Sequence, residues 1–318
     1  MLPSDEAFAA PSGRAGAMNG TVEVLLSTYN GERHLLQQLE SVRAQEHPHV
    51  RLSVRDDGSS DGTVRLLEQL ISARSCDRLS VGPNLGAARS FMTLLRAVSA
   101  DADYAAFCDQ DDVWLPGKLP AAVAALQEVD GPGLYCCAVR LVNESLSEIK
   151  VHRRCPRGPS FENALVENIA TGCTIVLNRA AIDLLASPIP QKFVMHDAWC
   201  YLVVSGCGRV VYDPQPYVLY RLHGSNSVGV GPTFWTEWSG RAARQVRQGR
   251  GRLLTKQAEE LCRLYGPQLR PDSGRCLDEF LGARSFTSRL RYAVRGSAYR
   301  QRRIDDLIFR CLYALHYI

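Results

Sequence analysis

A run of four residues, Asp109-Gln110-Asp111-Asp112, places three carboxylates close together in the chain. Left unpaired, these charges would repel one another and raise the pKa values of the side chains that carry them. A hard divalent cation such as Mg²⁺ or Mn²⁺ prefers oxygen ligands and would remove that repulsion. Such a cation can also bridge two phosphates and neutralise a diphosphate as it departs. The run therefore predicts a metal site, with a solvated loop before a helix at Gly117 as the alternative.

Two further polar clusters also follow apolar runs of strand length. They are Ser27-Thr28-Tyr29-Asn30 and residues 56–62, which include Asp56 and Asp57. Ligands bind where the carboxyl ends of parallel strands meet, so these clusters should converge with the acidic run. A carboxylate there can accept the imide N–H of a uracil or thymine ring, and Tyr29 can stack on the same base. The alternatives are a turn that caps the next helix and a loop tyrosine with no ligand.

Two polar constellations lie further along the chain. His196 and Asp197 stand at the start of a predicted helix, where Asp197 is either a general base or the helix N-cap. Arg221 and His223 are two residues apart and share one face of a predicted strand. Ser225 and Asn226 follow in the same Gly-containing loop, so this segment is predicted to contact substrate or metal.

The elements that position these residues alternate between strand and helix patterns. Apolar runs at 22–27, 50–55, 79–81 and 104–108 are separated by segments with helical periodicity. This rhythm predicts a mostly parallel sheet covered by helices on both faces. We expect a disordered lead over 1–19 (with Met18 as a second candidate start), a catalytic domain over 20–235 and a helical region over 236–318.

Composition describes an ordinary globular chain, with 46% hydrophobic and 22% charged residues among 318. No apolar stretch approaches the roughly 20 residues of a membrane span, and the first residues lack the pattern of a secretory signal. We therefore expect a cytoplasmic protein. The 11 cysteines contain no C-x-x-C pair and are expected to be reduced thiols packed as small hydrophobic side chains.

Positive charge is concentrated at the C-terminal end. Residues 240–318 hold 17 Lys and Arg against 7 Asp and Glu, a net charge of +10, whereas the rest holds 20 against 26, a net charge of −6. This predicts contact with anions, namely membrane headgroups or a phosphate-bearing acceptor, with a solvated helical surface as the alternative. Nucleic acid is not expected, because no recognisable motif is present. An apolar stripe (Ile304, Leu307, Ile308, Cys311, Leu312) lies beside Arg302, Arg303 and Arg310. It would rest on the inner membrane surface or pack against protein.

Taken together, these motifs resemble glycosyltransferase family 2. The matching segments run in order over about residues 20–230 and include residues 27–31, 56–63, Asn84-Leu85-Gly86, 109–114, 171–173, 196–199 and 220–224. The forms Asp-Gln-Asp-Asp-Val-Trp and His-Asp-Ala-Trp are similar to those of the bacterial rhamnosyltransferase-like branch. The resemblance implies a GT-A fold, with a Rossmann-like sheet and helices on both faces, plus the basic C-terminal helices.

Residue roles follow from the resemblance. Asp197 would be the catalytic base of an inverting, metal-dependent transfer, and Asp109 and Asp111 would form the Asp-x-Asp pair, with Asp111 as the direct metal ligand. His223 would help to hold the Mg²⁺ or Mn²⁺ or the diphosphate. The residues implied to bind the nucleotide sugar are Ser27, Tyr29, Asp56, Asp57, Asn84, Gly86, Asp109 and Arg221. Many relatives carry Glu-Asp where this chain has His196-Asp197, so His196 is expected to share or tune the base role.

The resemblance also implies the partners. The best guess for the donor is dTDP-rhamnose, within the class of dTDP- or UDP-linked sugars, and the acceptor hydroxyl would belong to a lipid-linked molecule or an oligosaccharide in cell-surface polysaccharide synthesis. One alternative is a sugar-phosphate nucleotidyltransferase, although the first turn at residues 27–31 lacks the expected Gly-rich loop. The other is a non-catalytic sugar-nucleotide-binding protein, which would be expected to lack the acidic run.

Overall fold

A nine-stranded sheet forms the centre of the computed structural model, which describes residues 20–72, 76–152, 155–222 and 252–318. Along the sheet the order is β3-β2-β1-β4-β8-β6-β9-β5, and β7 pairs with β6. The strands are β1 (Val22–Thr28), β2 (Val50–Asp56), β3 (Arg78–Val81), β4 (Tyr104–Cys108), β5 (Val113–Trp114), β6 (Gly133–Val142), β7 (Glu148–His152), β8 (Val176–Asn178) and β9 (Arg209–Arg221).

The first half of the chain builds the parallel part of this sheet. Strands β3, β2, β1 and β4 pair in parallel, and each connection contains a helix, as the alternating pattern predicts. The helices that precede β9 in the chain are α1 (Glu32–Arg43), α2 (Thr63–Ser72), α3 (Ala87–Arg96), α4 (Lys118–Gln127), α5 (Phe161–Ala164), α6 (Arg179–Ala186) and α7 (His196–Cys207). A 3₁₀ helix spans Gly172–Thr174.

The sheet is mixed, which corrects the expectation of a mostly parallel one. Strand β8 is inserted between β4 and β6 and runs antiparallel to both. Strands β5 and β7 are also antiparallel to their neighbours, β9 and β6, whereas β6 and β9 pair in parallel. Four of the eight pairings are thus parallel. The predicted fold class is otherwise confirmed, because helices cover both faces.

The core lies on both sides of the sheet because successive side chains of a strand point to opposite faces. In β4, Tyr104, Ala106 and Cys108 pack beneath α1, α2 and α4, whereas Ala105 and Phe107 pack beneath α3, α6 and α7. Strand β4 is therefore buried on both faces. This arrangement fixes the strand ends, and with them the loops that carry the polar clusters.

The C-terminal helices pack on the second of these faces. They are α8 (Leu253–Tyr265), α9 (Pro271–Gly282), α10 (Phe286–Arg295) and α11 (Arg303–Ala314). Leu261, Tyr265 and Phe280 join the same apolar cluster as Phe107. The expected lead at 1–19 and the expected boundary at 235/236 lie outside the described residues. No helix in the described ranges has both the length and the apolar character needed to cross a membrane.

Candidate active site

The loops after β1, β2 and β4 are held together by side-chain hydrogen bonds to the main chain. Gln110 accepts a hydrogen bond from the Tyr29 amide at 2.8 Å and donates one to the Tyr29 carbonyl at 3.1 Å. Asn30 connects the loop after β1 to the loop after β2. Its amide donates to Ser59 Oγ and its Oδ1 accepts from the Ser60 amide, both at 2.8 Å. The structure therefore brings together the three clusters that the strand pattern predicts at one edge.

Asp56 and Asp57 are both buried and engaged within this edge. Asp56 accepts hydrogen bonds from Thr28 Oγ1 at 2.8 Å and from the amide and hydroxyl of Ser59 at 2.8 and 2.6 Å. Asp57 pairs with Arg55 and accepts from the amides of Leu85 and Gly86 at 2.9 and 2.8 Å. Both carboxylates thus order neighbouring main chain, so a base contact would use the lone pairs that remain.

The other predicted nucleotide-sugar residues surround this pair. The Tyr29 ring is 49% exposed and available for stacking. Ser27 Oγ donates to Ser90 Oγ at 2.7 Å. Asn84 is exposed and accepts from the Gly86 amide at 3.0 Å, and Gly86 has a φ of +77°, which favours glycine. The 84–86 turn is therefore tied to the end of β2 through Asp57.

An acidic cluster lies at the end of β4. Carboxylate oxygens of Asp109 and Asp112 and the Sγ of Cys173 all lie within 4.8 Å of one another. One oxygen of Asp112, Oδ2, is buried and has no hydrogen-bond partner among the described residues. Desolvation raises the pKa of Asp109 well above its usual range, with the charges of Asp112 and Asp111 adding to the effect. Desolvation and the charge of Asp111 raise the pKa of Asp112 to about 7.

These observations fit a bound cation. Crowded, desolvated carboxylates with an unpartnered oxygen are stabilised by a divalent metal, for which oxygen is the preferred ligand. Asp112 and Cys173 join Asp109 here, although neither was singled out as a ligand from the sequence. Their signal was present, since both belong to matched motifs, but their proximity depends on β8 lying beside β4. His223, the third predicted ligand, lies outside the described residues.

Lys118 supplies a positive charge behind this cluster. The side chain is fully buried and its Nζ lies 3.0 Å from the centroid of the Trp114 ring. Nζ has no hydrogen-bond partner among the described residues, and desolvation lowers the pKa of Lys118 to about 8. The charge of Lys118 lowers the pKa of Asp109 and so opposes part of the effect of its acidic neighbours. Sequence reasoning did not single out this residue; a lone lysine directly before the apolar stretch 119–126 was the available signal.

Arg221 is buried and directed at the acidic loop. Its Nε donates to the Asp111 carbonyl at 2.8 Å, and its amide donates to Asp112 Oδ1 at 3.1 Å. The remaining guanidinium nitrogens donate to the Glu144 carbonyl and, at 2.6 Å, to Gln37 Oε1. The predicted contact of Arg221 with the nucleotide sugar stays a prediction; in the structure its guanidinium fixes the main chain that carries Asp111.

Asp197 lies in the first turn of α7. The N-cap position belongs to Met195, so the alternative in which Asp197 caps the helix is wrong. Its Oδ1 accepts from the Ala198 amide at 2.7 Å. A Cβ placed on Gly172 would lie 3.7 Å from the Cβ of Asp197, and the next residue, Cys173, belongs to the acidic cluster. The negative charge of Asp197 also raises the pKa of Asp109. The structure thus brings the predicted base to the acidic cluster.

His196 is a packing residue. Its ring stacks on Phe91 with centroids 4.1 Å apart and meets Phe107 edge-on at 5.0 Å. Burial lowers its pKa to about 3, and neither ring nitrogen has a hydrogen-bond partner among the described residues. A neutral, enclosed imidazole cannot exchange protons with a substrate. The expectation that His196 shares the base role is therefore wrong.

A cavity of about 340 Å³ lies between the start of α3 and the segment before α7. Residues 85–89 line one side, and Gln191, Phe193 and Met195 line the other. The first side begins at the Leu85 and Gly86 amides that Asp57 binds. The second side ends two residues before Asp197 in the chain. The cavity is therefore bounded by the turn at residues 85–86 and by Met195, two residues before the predicted base.

Comparison with known proteins gives matches over this same part of the chain. Residues 23–183, about half of the chain, match the family model described as Glycosyl transferase family 2. The dTDP-rhamnosyl transferase RfbG of Shigella flexneri is 27% identical over 66% of this chain and 75% of its own length. The UDP-Glc:alpha-D-GlcNAc-diphosphoundecaprenol beta-1,3-glucosyltransferase WfgD of Escherichia coli is 28% identical over 54% of this chain and 65% of its own length.

Solved structures share the architecture at low sequence identity. TarS of S. aureus in complex with UDP-GlcNAc superposes with a TM-score of 0.54 at 17% identity, covering 86% of this chain and 76% of that one. The mannosyltransferase PcManGT from Pyrobaculum calidifontis, in complex with GDP-Man and Mn²⁺, superposes with a TM-score of 0.51 at 17% identity, covering 87% and 76%. At such identities the likeness concerns the fold, which is GT-A.

Proposed function

The chain belongs to glycosyltransferase family 2, and we propose that it is an inverting, metal-dependent enzyme that transfers a sugar from a nucleotide diphosphate to an acceptor hydroxyl. One observation carries this proposal. Asp197, in the first turn of α7, lies beside the acidic cluster: a Cβ placed on Gly172 would lie 3.7 Å from the Cβ of Asp197, and the next residue, Cys173, belongs to the cluster. A base beside the place where a diphosphate would be neutralised is what a single displacement at the anomeric carbon needs.

The donor is held by the loops after β1 and β2. Tyr29 stacks on the base, and Asp57 or Asp56 accepts its imide N–H with a remaining lone pair. Ser27, Asn84 and Gly86 line the path toward the phosphates. The proposed donor is dTDP-rhamnose, which the similarity to the dTDP-rhamnosyl transferase RfbG supports. A UDP-linked sugar, the donor class of the glucosyltransferase WfgD, is the other member of the class.

The proposed cation is Mg²⁺ or Mn²⁺. Asp109 and Asp111 would hold it with help from His223, and Asp112 would offer its buried Oδ2, which has no hydrogen-bond partner among the described residues. The thiol of Cys173 stays protonated, because desolvation raises its pKa well above the usual range. When bound, the cation would neutralise charge on the departing diphosphate. Arg221 and Lys118 keep the acidic loop in place around that position.

The reaction proceeds as one displacement at the anomeric carbon. Asp197 takes the proton from the acceptor hydroxyl while that oxygen attacks from the face opposite the diphosphate, so the configuration inverts. A single carboxylate base suffices, unlike the pair that a retaining glycosidase uses. The cavity beside Asp197 has room for a sugar ring from donor or acceptor.

The acceptor is a lipid-linked molecule or an oligosaccharide of cell-surface polysaccharide synthesis. The name of WfgD, which specifies a diphosphoundecaprenol acceptor, supports a lipid-linked substrate. We place the reaction in the cytoplasm at the inner face of the plasma membrane, where nucleotide sugars and lipid-linked acceptors meet.

Ligand-induced thermal stabilisation tests the donor. With Mn²⁺ present, dTDP-rhamnose at about a hundredfold its Kd should stabilise the protein by about 2.7 kcal/mol. GDP-mannose should not, and chelation by EDTA should abolish the effect. Hydrolysis of dTDP-rhamnose that requires Mg²⁺ or Mn²⁺ distinguishes an enzyme from a sugar-nucleotide-binding protein. Binding without any turnover on hydrolysis or acceptor assays would contradict the proposed activity, and a retained anomeric configuration in the product would contradict inversion.

A further inference from the structure

The last two helices present apolar side chains to solvent. Phe286, Leu290 and Val294 recur every four residues along α10 and are 57%, 49% and 72% exposed. On α11, Ile304 and Leu307 are 62% and 64% exposed. We call these five residues the α10–α11 apolar surface. Both helices also pack against the rest of the chain, because apolar side chains on their other sides are buried.

Aromatic packing fixes the orientation of both helices. Tyr292 of α10 and Phe309 and Tyr313 of α11 are buried with Phe280 of α9. The ring centroids of Tyr292 and Tyr313 are 4.7 Å apart, and those of Phe280 and Tyr313 are 5.2 Å apart. The two helices are therefore locked to each other and to the rest of the chain, with the apolar surface turned outward.

The segment that carries this surface has a net positive charge. Residues 283–318 contain eight arginines and two aspartates, a net charge of +6. Asp305 is buried, and Asp306 is half-buried in an ion pair with Arg310 at 2.9 Å, so this segment exposes no carboxylate side chain. The exposed arginines are Arg284, Arg291, Arg295, Arg302 and Arg303.

We propose that the α10–α11 apolar surface docks onto the surface of an anionic lipid bilayer. Exposed apolar side chains enter the headgroup boundary while nearby arginines contact lipid phosphates, which is how interfacial helices bind. A second copy of the chain is disfavoured as the occupant, because a symmetric contact would bring two +6 segments together. Nucleic acid would use the arginines but leave the apolar side chains in water.

This inference deepens the proposed function, since docking brings the active site to a lipid-linked acceptor. Its test needs neither donor nor acceptor. The full chain is mixed with phosphatidylcholine vesicles, or with vesicles containing about 30% phosphatidylglycerol, and the bound fraction is measured by flotation. Binding is expected to the anionic vesicles alone and to weaken in 0.5 M NaCl, where exposed charges are screened.

Two variants separate the contributions. Leu290→Asp combined with Leu307→Asp should lower the partition coefficient at least about tenfold, as should Arg291→Gln, Arg302→Gln and Arg303→Gln together. The replaced side chains are exposed, so the fold should persist. Matched controls are Ile149→Asp on β7, which is 54% exposed, and Arg275→Gln on α9, whose side chain is 71% exposed; both should bind like the parent chain.

Three results would overturn the inference: no binding to anionic vesicles, binding that both sets of variants retain, or a concentration-dependent dimer that Leu307→Asp dissociates. Binding to single-stranded RNA that survives the leucine substitutions but not the arginine ones would assign the surface to nucleic acid instead. Thermal stabilisation by the nucleotide sugar should be unchanged in every variant. Failure of vesicle binding with intact donor binding therefore leaves the proposed function standing.

Discussion

The Nε of Arg221 donates a 2.8 Å hydrogen bond to the main-chain carbonyl of Asp111. The same side chain reaches Gln37 in α1 and the carbonyl of Glu144 beyond β6. One buried residue at the end of β9 thus joins three separate segments around the acidic loop. Its role is to position that loop, and four expectations about the site can be tested from this and related contacts.

Arg221→Lys should weaken metal binding. A lysine keeps the charge but cannot reproduce the fork that reaches three acceptors, so buried acceptors are left unpaired at about 1–3 kcal/mol each. We expect the Kd for Mn²⁺, measured by titration of the ion alone, to rise about tenfold or more. Arg140→Lys, in the ion pair with Glu148 on the neighbouring strand, is the control and should bind Mn²⁺ normally. An unchanged Kd with only a lower melting temperature would reduce Arg221 to a structural role.

Asp197→Asn should remove transfer and spare donor binding. The amide cannot accept the acceptor's proton, and loss of a general base costs about 10²–10⁴ in kcat. Radiolabel transfer gives the rate, and thermal stabilisation by the donor gives the binding. Asp183→Asn, an exposed residue on α6, is the matched control. Near-normal turnover in the Asp197 variant would remove this residue from the mechanism.

Metal binding should strengthen as the pH rises. Desolvation raises the pKa of Asp112 to about 7 from an ordinary value of 3.8. The folded state therefore holds this proton more tightly than the unfolded state, so the metal-free protein loses stability as pH rises from about 4 to about 7. A cation replaces the proton, and stabilisation by Mn²⁺ should be larger at pH 8 than at pH 5.5. In Asp112→Asn the difference in Mn²⁺ stabilisation between pH 8 and pH 5.5 should shrink. A difference equal to that of the parent chain would mean that another group is responsible for the pH dependence.

Gly172→Ala should destabilise the protein near the base. A Cβ at this position would lie 2.9 Å from Nε2 of His196, whose ring is clamped between Phe91 and Phe107. Relieving this contact should cost about 1–3 kcal/mol, measured by urea unfolding. Gly274→Ala on α9 is the control, since its new methyl group would meet nothing within 4 Å beyond its chain neighbours and the backbone of its own helix. There the exchange should be neutral or stabilising. Equal effects at both positions would mean that His196 is not rigidly held.

The parallel half of the fold was predictable because its signals are local. Apolar runs at 22–27 and 50–55 lie within one residue of β1 and β2, since strand–helix alternation leaves clear periodicity. Strand β5 has two residues and carries no pattern, so it was not predicted. The insertion of β8 between β4 and β6 is a tertiary pairing that no local pattern encodes.

The same distinction applies to the site. Convergence of Tyr29, Asp57 and Asp109 follows from parallel topology, so residue types at strand ends predicted it. The environments of Arg221 and Lys118 could not be predicted from the sequence. They depend on which main-chain carbonyls and aromatic rings the tertiary structure brings close to these side chains. His196 shows the limit most plainly: its neighbour Asp197 reaches the cluster, while the imidazole is directed into the core.

Gln110 does not contribute a carboxylate to the acidic run, yet it bonds to both the amide and the carbonyl of Tyr29. These two hydrogen bonds tie the segment that presents the aromatic ring to the segment that presents Asp109 and Asp111. Any effect of a ligand bound at one segment on the affinity of the other must then, by thermodynamic linkage, be the same factor in both directions.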